Sequence, residues 1–181
     1  GFSYNPGQPT PGSTAPLWTI LLGGIGFLGP DFLIPALALS AFFLIVTLWL
    51  VYGFTYWICH SVWAAFIAGL GTIVAGRLLW AGLAAMETTA FAALSLAAIW
   101  AYSKWGLRWF PALLFALAGQ LRPEGHALFA LAVIDAAVQW WRLRHHLPNG
   151  LWGSLWRQFL PPLAVYGLIA APYSLFSLFT T

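Results

Sequence analysis

The chain alternates between long apolar runs and short polar breaks, and the breaks set the reading. Residues 1–16, GFSYNPGQPTPGSTAP, are rich in Gly, Pro, Ser and Thr and predict a loop without a helix. LWTILLGGIGFL, from Leu17 to Leu28, is apolar but shorter than the roughly 20 residues that a bilayer crossing needs. It predicts a helix lying in the membrane interface. Gly29, Pro30 and Asp31 end that helix, with Asp31 placed to cap the next one. Apolar runs of spanning length follow from Phe32 to Val51 and, after a turn near Tyr52 to Thr55, from Tyr56 to Leu79. A third runs from Glu87 to Tyr102. Two more, Trp109 to Leu121 and Glu124 to Trp141, are separated by an Arg-Pro break, and a last one runs from Trp156 to Phe179. The pattern predicts an all-α, polytopic transmembrane helix bundle of about six spans plus one interfacial helix. Its parts are a polar extracytoplasmic loop at 1–16, the interfacial helix at 17–28 and the bundle at 29–181.

Composition sharpens this picture. Hydrophobic residues make up 61% of the chain and charged residues 6%, with a mean hydropathy of +0.84, whereas about a quarter of a soluble domain is charged. Such a chain lacks the polar surface to face water, and membrane lipids are its first partners. Its twelve tryptophans suit the boundary between headgroups and hydrocarbon. A single cysteine, Cys59, excludes an internal disulfide framework or a cysteine metal site. The net charge of +3 sits in two basic stretches, 103–108 and 142–157, and carries no nucleic-acid footprint. Lys104 and Arg108 belong to the first; Arg142, Arg144 and Arg157 belong to the second. The positive-inside rule makes both cytoplasmic. The AAMETT stretch, the RPEG break and the Gly29–Asp31 turn then share the extracytoplasmic face.

With so few charges, each is a candidate for chemistry. Glu87 is either a carboxylate at a helix N-terminus, favoured by the dipole, or a ligand-site acid at the membrane boundary, where acids are costly and functional. Pro123 cannot continue a helix, so Arg122 and Glu124 flank a break. They are either a cap with an ordinary ion pair or a guanidinium and carboxylate facing a polar cavity, the guanidinium suited to phosphate. His126, one turn on, is a second donor or a buried histidine bonded to a carbonyl. His60, read as lying inside the second span, is a porphyrin or chlorin ligand in a pigment complex, or a hydrogen-bonded core histidine. His145 and His146 read as solvated loop residues, and Asp135 as a partner for Arg142 or a neighbouring helix. No metalloprotease, nucleophile-elbow or phosphate-loop pattern occurs, and the glycines of GGIG and GLG suit close helix packing.

Three stretches together resemble a family. NPGQPTPGSTAPLWTILLGGIGFLG is similar to the NPGE-x-V-x-G-x-TSPLWTLLLAL segment of bacterial GT-C glycosyltransferases, polytopic enzymes that use polyprenyl-phosphate sugars. AAMETTAFAALSL resembles their SGMET-x-LFALLLL motif, and GQLRPEGHALFAL resembles L-x-RPEG-x-LL, in the same order and spacing. The resemblance implies an inner-membrane enzyme that transfers a sugar from a lipid-phosphate donor on the extracytoplasmic face. Glu87, Arg122 and Glu124 would bind substrate, with Arg122 toward the donor phosphate. The family's acidic catalytic pair precedes the segment that Gly1 opens, and Gln8 replaces the usual acid of the GE turn. The resemblance therefore implies either a core fragment whose general base lies upstream or a degenerate relative retained for structure. No catalytic residue, metal ligand or cofactor is then assigned within these residues, and a divalent metal belongs to a full-length enzyme. The competing reading is a non-catalytic accessory subunit of a larger membrane complex, contacting other membrane subunits, pigments or lipids.

Overall fold

The computed structural model describes residues 15–26, 33–143 and 151–180. Among these the backbone forms eight helices: α1 (Pro16–Gly26), α2 (Leu33–Cys59), α3 (Val62–Val74), α4 (Gly76–Leu83), α5 (Thr88–Trp105), α6 (Trp109–Gly119), α7 (Glu124–Leu143) and α8 (Leu151–Thr180). The protein is all-helical. Two stretches are long and apolar enough to cross a membrane, α2 and Trp156–Ser177 within α8. A third is counted if α3 and α4, bent by 59° at their junction, form one crossing. The polar segment up to residue 14, Gln8 included, the Gly29–Asp31 turn, and Arg144, His145 and His146 lie outside the described residues.

Several boundaries differ from the sequence reading. No turn interrupts Tyr52 to Thr55, because α2 continues to Cys59. Gly53, within that stretch, is helical, and a Cβ on it would stand 2.9 Å from the Trp100 indole of α5. It admits a neighbouring helix. The break falls at His60, whose φ of +50° turns the chain, and at Ser61, whose hydroxyl accepts from Ala64 N at 3.3 Å to start α3. His60 is thus an exposed break residue and lies within no span. The segment from Tyr56 to Leu79 is likewise split between three helices. Arg142 belongs to the last turn of α7 and Arg157 to α8, so the second basic stretch is carried partly by helices.

The bundle is built around α5. Its buried positions are Thr89, Ala90, Ala93, Ser95, Ala98 and Ala101, all small, which lets α2, α4, α6 and α7 approach it closely. Helices α2 and α5 run parallel. Ser40 meets Thr89 near their starts, with hydroxyls 3.1 Å apart, and Lys104 lies over the Trp57 and Trp100 rings near their ends, 5.8 and 4.4 Å from the centroids. Gly106 (φ +70°) turns the chain into α6, which runs back along α5, and α7 then reverses again. Phe115, Phe129, Ala132 and Ala136 join Ala98 and Ala112 in the core between them. On α8, Tyr166 stacks flat on Phe129 with 3.7 Å between centroids. Large apolar side chains are exposed along α2, α3, α4, α7 and α8, among them Trp63, Val74, Leu131 and Leu168. That surface matches lipid and does not match water.

Candidate functional site

Two chain breaks meet at one end of the bundle. The first follows α6. Leu121 and Arg122 donate their backbone N–H groups to Ala118 O at 3.0 Å, and after Pro123 the N–H groups of Gly125 and His126 return to Arg122 O and Pro123 O, also at 3.0 Å. The turn is tight enough that a Cβ on Gly125 would lie 2.4 Å from Gly119 N and 2.6 Å from the Ala118 carbonyl carbon. Only glycine fits. Leu121 faces inward, 1% exposed, in a cluster with Ala15, Trp18 and Ala90, which leaves Arg122 directed outward. The N-terminus of α1 is tied to the same turn, Leu17 N donating to Gln120 O at 3.2 Å.

The second break joins α4 to α5. Ala85 takes a left-handed conformation (φ +54°), which costs a non-glycine residue about 1 kcal/mol. Its carbonyl accepts from Trp18 Nε1 at 3.2 Å, so α1 clasps this break as well. Glu87 stands at the N-cap position of α5 but makes no capping hydrogen bond to its own helix. Its carboxylate turns instead to the other break. Arg122 Nε and Nη2 donate to Glu87 Oε1 at 3.2 and 3.0 Å, and Nη2 also donates to Thr88 Oγ1 at 3.0 Å. The guanidinium carbon is 5.9 Å from the Phe91 ring centroid. The pair is half-buried, with side-chain exposures of 33% for Arg122 and 22% for Glu87.

An open pocket of about 350 Å³ lies over the pair, lined by Glu87, Leu121, Arg122, Pro123 and Glu124. The three residues singled out from the sequence therefore share one pocket. Glu124 is exposed in the first turn of α7, and the Arg122–Glu87 contact is the ion pair found among the described residues. His126 is not part of the pocket lining. Its Nδ1 is hydrogen-bonded to the Tyr166 hydroxyl of α8, a hydroxyl partner where the sequence reading had a carbonyl. Asp135 accepts from Tyr102 of α5 at 2.5 Å and from Gln139 at 2.7 Å, which makes the neighbouring helix its partner. Sequence reasoning missed Thr88, which completes the guanidinium's contacts, and Trp18, which braces Ala85. The adjacency of Thr88 to Glu87 was the one available signal.

Comparison with known proteins returns nothing. No family model, curated protein or solved structure matches this chain.

The site thus rests on its own geometry. Among the described residues no group of three or more His, Cys, Asp or Glu side chains is placed to hold a metal. Apart from Arg77 on α4 and Asp135 in mid-α7, the charges of the described residues segregate along the bundle. Glu87, Arg122 and Glu124 occupy one end, while Lys104, Arg108, Arg142 and Arg157 sit at the ends of α5 and α7 and the starts of α6 and α8, at the opposite end. A partly neutralised guanidinium beside a free carboxylate, at the edge of an apolar bundle, can receive an anionic group and a hydrogen-bonding polar group together.

Proposed function

We propose that this chain forms the membrane core of a GT-C-type glycosyltransferase, which transfers a sugar from a polyprenyl-phosphate donor on the extracytoplasmic face. The observation that carries the reading is the Arg122–Glu87–Thr88 contact, which joins the MET-like and RPEG-like stretches over one pocket. Two details support it. Ala85, left-handed here, stands where the SGMET motif has glycine, and Gly125 of RPEG stands where no side chain fits. In this reading the crossings are six: α2, the bent pair α3–α4, α5, α6, α7 and α8. Helix α1 lies in the interface, and the basic stretches face the cytoplasm, as charge asymmetry favours.

The chemistry follows from the groups present. Cleaving the bond between a sugar and a lipid phosphate leaves negative charge on the phosphate, and a guanidinium held beside it stabilises that charge. Arg122 takes this role, with Glu87 and Thr88 fixing its orientation. Glu124, exposed on the same pocket, accepts hydrogen bonds from sugar hydroxyls. No step is assigned to a metal.

Binding of polyprenyl phosphate to the purified full-length protein tests the reading without requiring the acceptor. Arg122→Ala should weaken that binding by at least about tenfold, the worth of one charge-assisted contact, and abolish transfer from a panel of polyprenyl-phosphate hexoses. Undiminished binding by the variant sinks the assignment. The accessory-subunit reading has one observation in its favour: three donated hydrogen bonds hold Arg122 against α5 as a latch. It expects Arg122→Ala to change which membrane proteins copurify while lipid phosphate never binds.

A further inference from the structure

The opposite end of the bundle carries a second constellation. Arg108 stands at the N-cap position of α6 with extended backbone (φ −130°, ψ 173°) and no capping hydrogen bond from its side chain. Together with Arg157 it lines an open pocket of about 350 Å³, whose walls include Leu107, Gln158, Pro161 and Pro162. Both arginines are exposed, and no carboxylate pairs with either among the described residues. Two of the chain's four acids, Glu87 and Glu124, lie at the other end, and Asp135 is engaged by Tyr102 and Gln139. Pro161 and Pro162 have no N–H, so the carbonyls of Arg157 and Gln158, four residues before them, lack their regular helical partners. The pocket thus offers two cationic forks and freed carbonyl acceptors side by side. On the other flank of Arg108, a second pocket of about 370 Å³ is walled by Trp105, Trp109, Phe110 and Pro111. Trp105 and Trp109 of these pockets are exposed, as are Trp141 on α7 and Trp156 on α8, and such rings favour a headgroup boundary.

We propose that Arg108 and Arg157 form a binding site for an anionic phospholipid whose headgroup carries hydroxyls, such as phosphatidylglycerol. The guanidinium groups hold the phosphate, the freed carbonyls accept from the headgroup hydroxyls, and an acyl chain lies along the Trp105–Phe110 pocket. The site is independent of the glycosyl-transfer reading and needs only that the bundle sits in a bilayer.

The test places the full chain in nanodiscs of phosphatidylcholine with or without phosphatidylglycerol and measures retained lipid by native mass spectrometry. Phosphatidylglycerol should be enriched around the protein. The double variant Arg108→Gln/Arg157→Gln should lose at least about tenfold of that preference, since it removes both charge-assisted guanidinium contacts to the phosphate. Arg142→Gln, a cation at the same end outside both pockets, should keep it. Equal loss in Arg142→Gln would reduce the effect to bulk charge and overturn the site, as would a double variant that retains its preference. A thermal midpoint of the double variant in phosphatidylcholine matching the wild type shows that the fold is intact. Inorganic phosphate that stabilises the protein in phosphatidylcholine as well as phosphatidylglycerol does would overturn the lipid assignment.

Discussion

Arg122 and Glu87 are the residues on which the site turns, and their coupling is measurable. Removing either leaves a half-buried charge without its partner. Arg122→Ala and Glu87→Gln should each lower stability by roughly 1–2 kcal/mol, and the double variant by less than their sum, because the second change removes a group already orphaned. Chemical denaturation in detergent micelles reads out all three. Additive losses would mean that the two side chains do not hold one another. Gly125→Ala is expected to be far worse, since the added carbon meets backbone that cannot move aside; the α6–α7 hairpin should not close and little folded protein should be recovered. Gly167→Ala is the control, a helical glycine with open space around it, where alanine should be neutral or gain about 0.5–1 kcal/mol. The charged residues of the site were legible in the sequence because an oily chain has few reasons to hold a charge. Thr88 and Trp18 were not, since their roles exist only once α1, α5 and the α6–α7 turn have come together.

At the scale of elements, helix type was legible and helix ends were not. Continuous apolar runs fix a helix in lipid, where backbone groups must be satisfied within the segment, so α5, α6 and α7 stand near where the pattern put them, and α2 starts there but runs on to Cys59. The turn expected near Tyr52 to Thr55 is helix, and Gly53 within it is a contact surface for Trp100; nothing local distinguishes a glycine that breaks a helix from one that admits a neighbour. The start of α3 is set by Ser61 as a cap, a cue that is present in the sequence but drowned by apolar neighbours. The bend between α3 and α4 has only Gly76 to announce it. The parallel seam of α2 and α5 gives the prediction for this scale. Ser40 and Thr89 are fully buried and share a hydrogen bond; Ser40→Ala should cost about 1 kcal/mol, and adding Thr89→Val should recover part of it, because both polar partners are then gone. A further loss on the second substitution would show that the seam is held by packing alone.

For the whole molecule, the separation of charges along the bundle predicts sidedness, and Cys59 offers a direct reading. It is a free, exposed thiol beside the His60 break, at the end that carries Lys104 over Trp57. In sealed inside-out vesicles an impermeant maleimide should label Cys59, while a cysteine placed at Glu124 in a Cys59→Ser background should react only in right-side-out vesicles. Reversed labelling would invert the orientation drawn from the basic stretches. The small-residue character of α5 has a last consequence, for how the molecule is made. A helix whose buried positions are alanine, serine and threonine, with Lys104 in its last turn, partitions more weakly into hydrocarbon by itself than a continuous run of large apolar residues. It emerges from the ribosome after α2, whose 27 apolar residues insert unaided. On the proposed six-crossing reading, α2 would be the template on which α5 is retained at the translocon, and release into the lipid would wait for the Ser40–Thr89 seam.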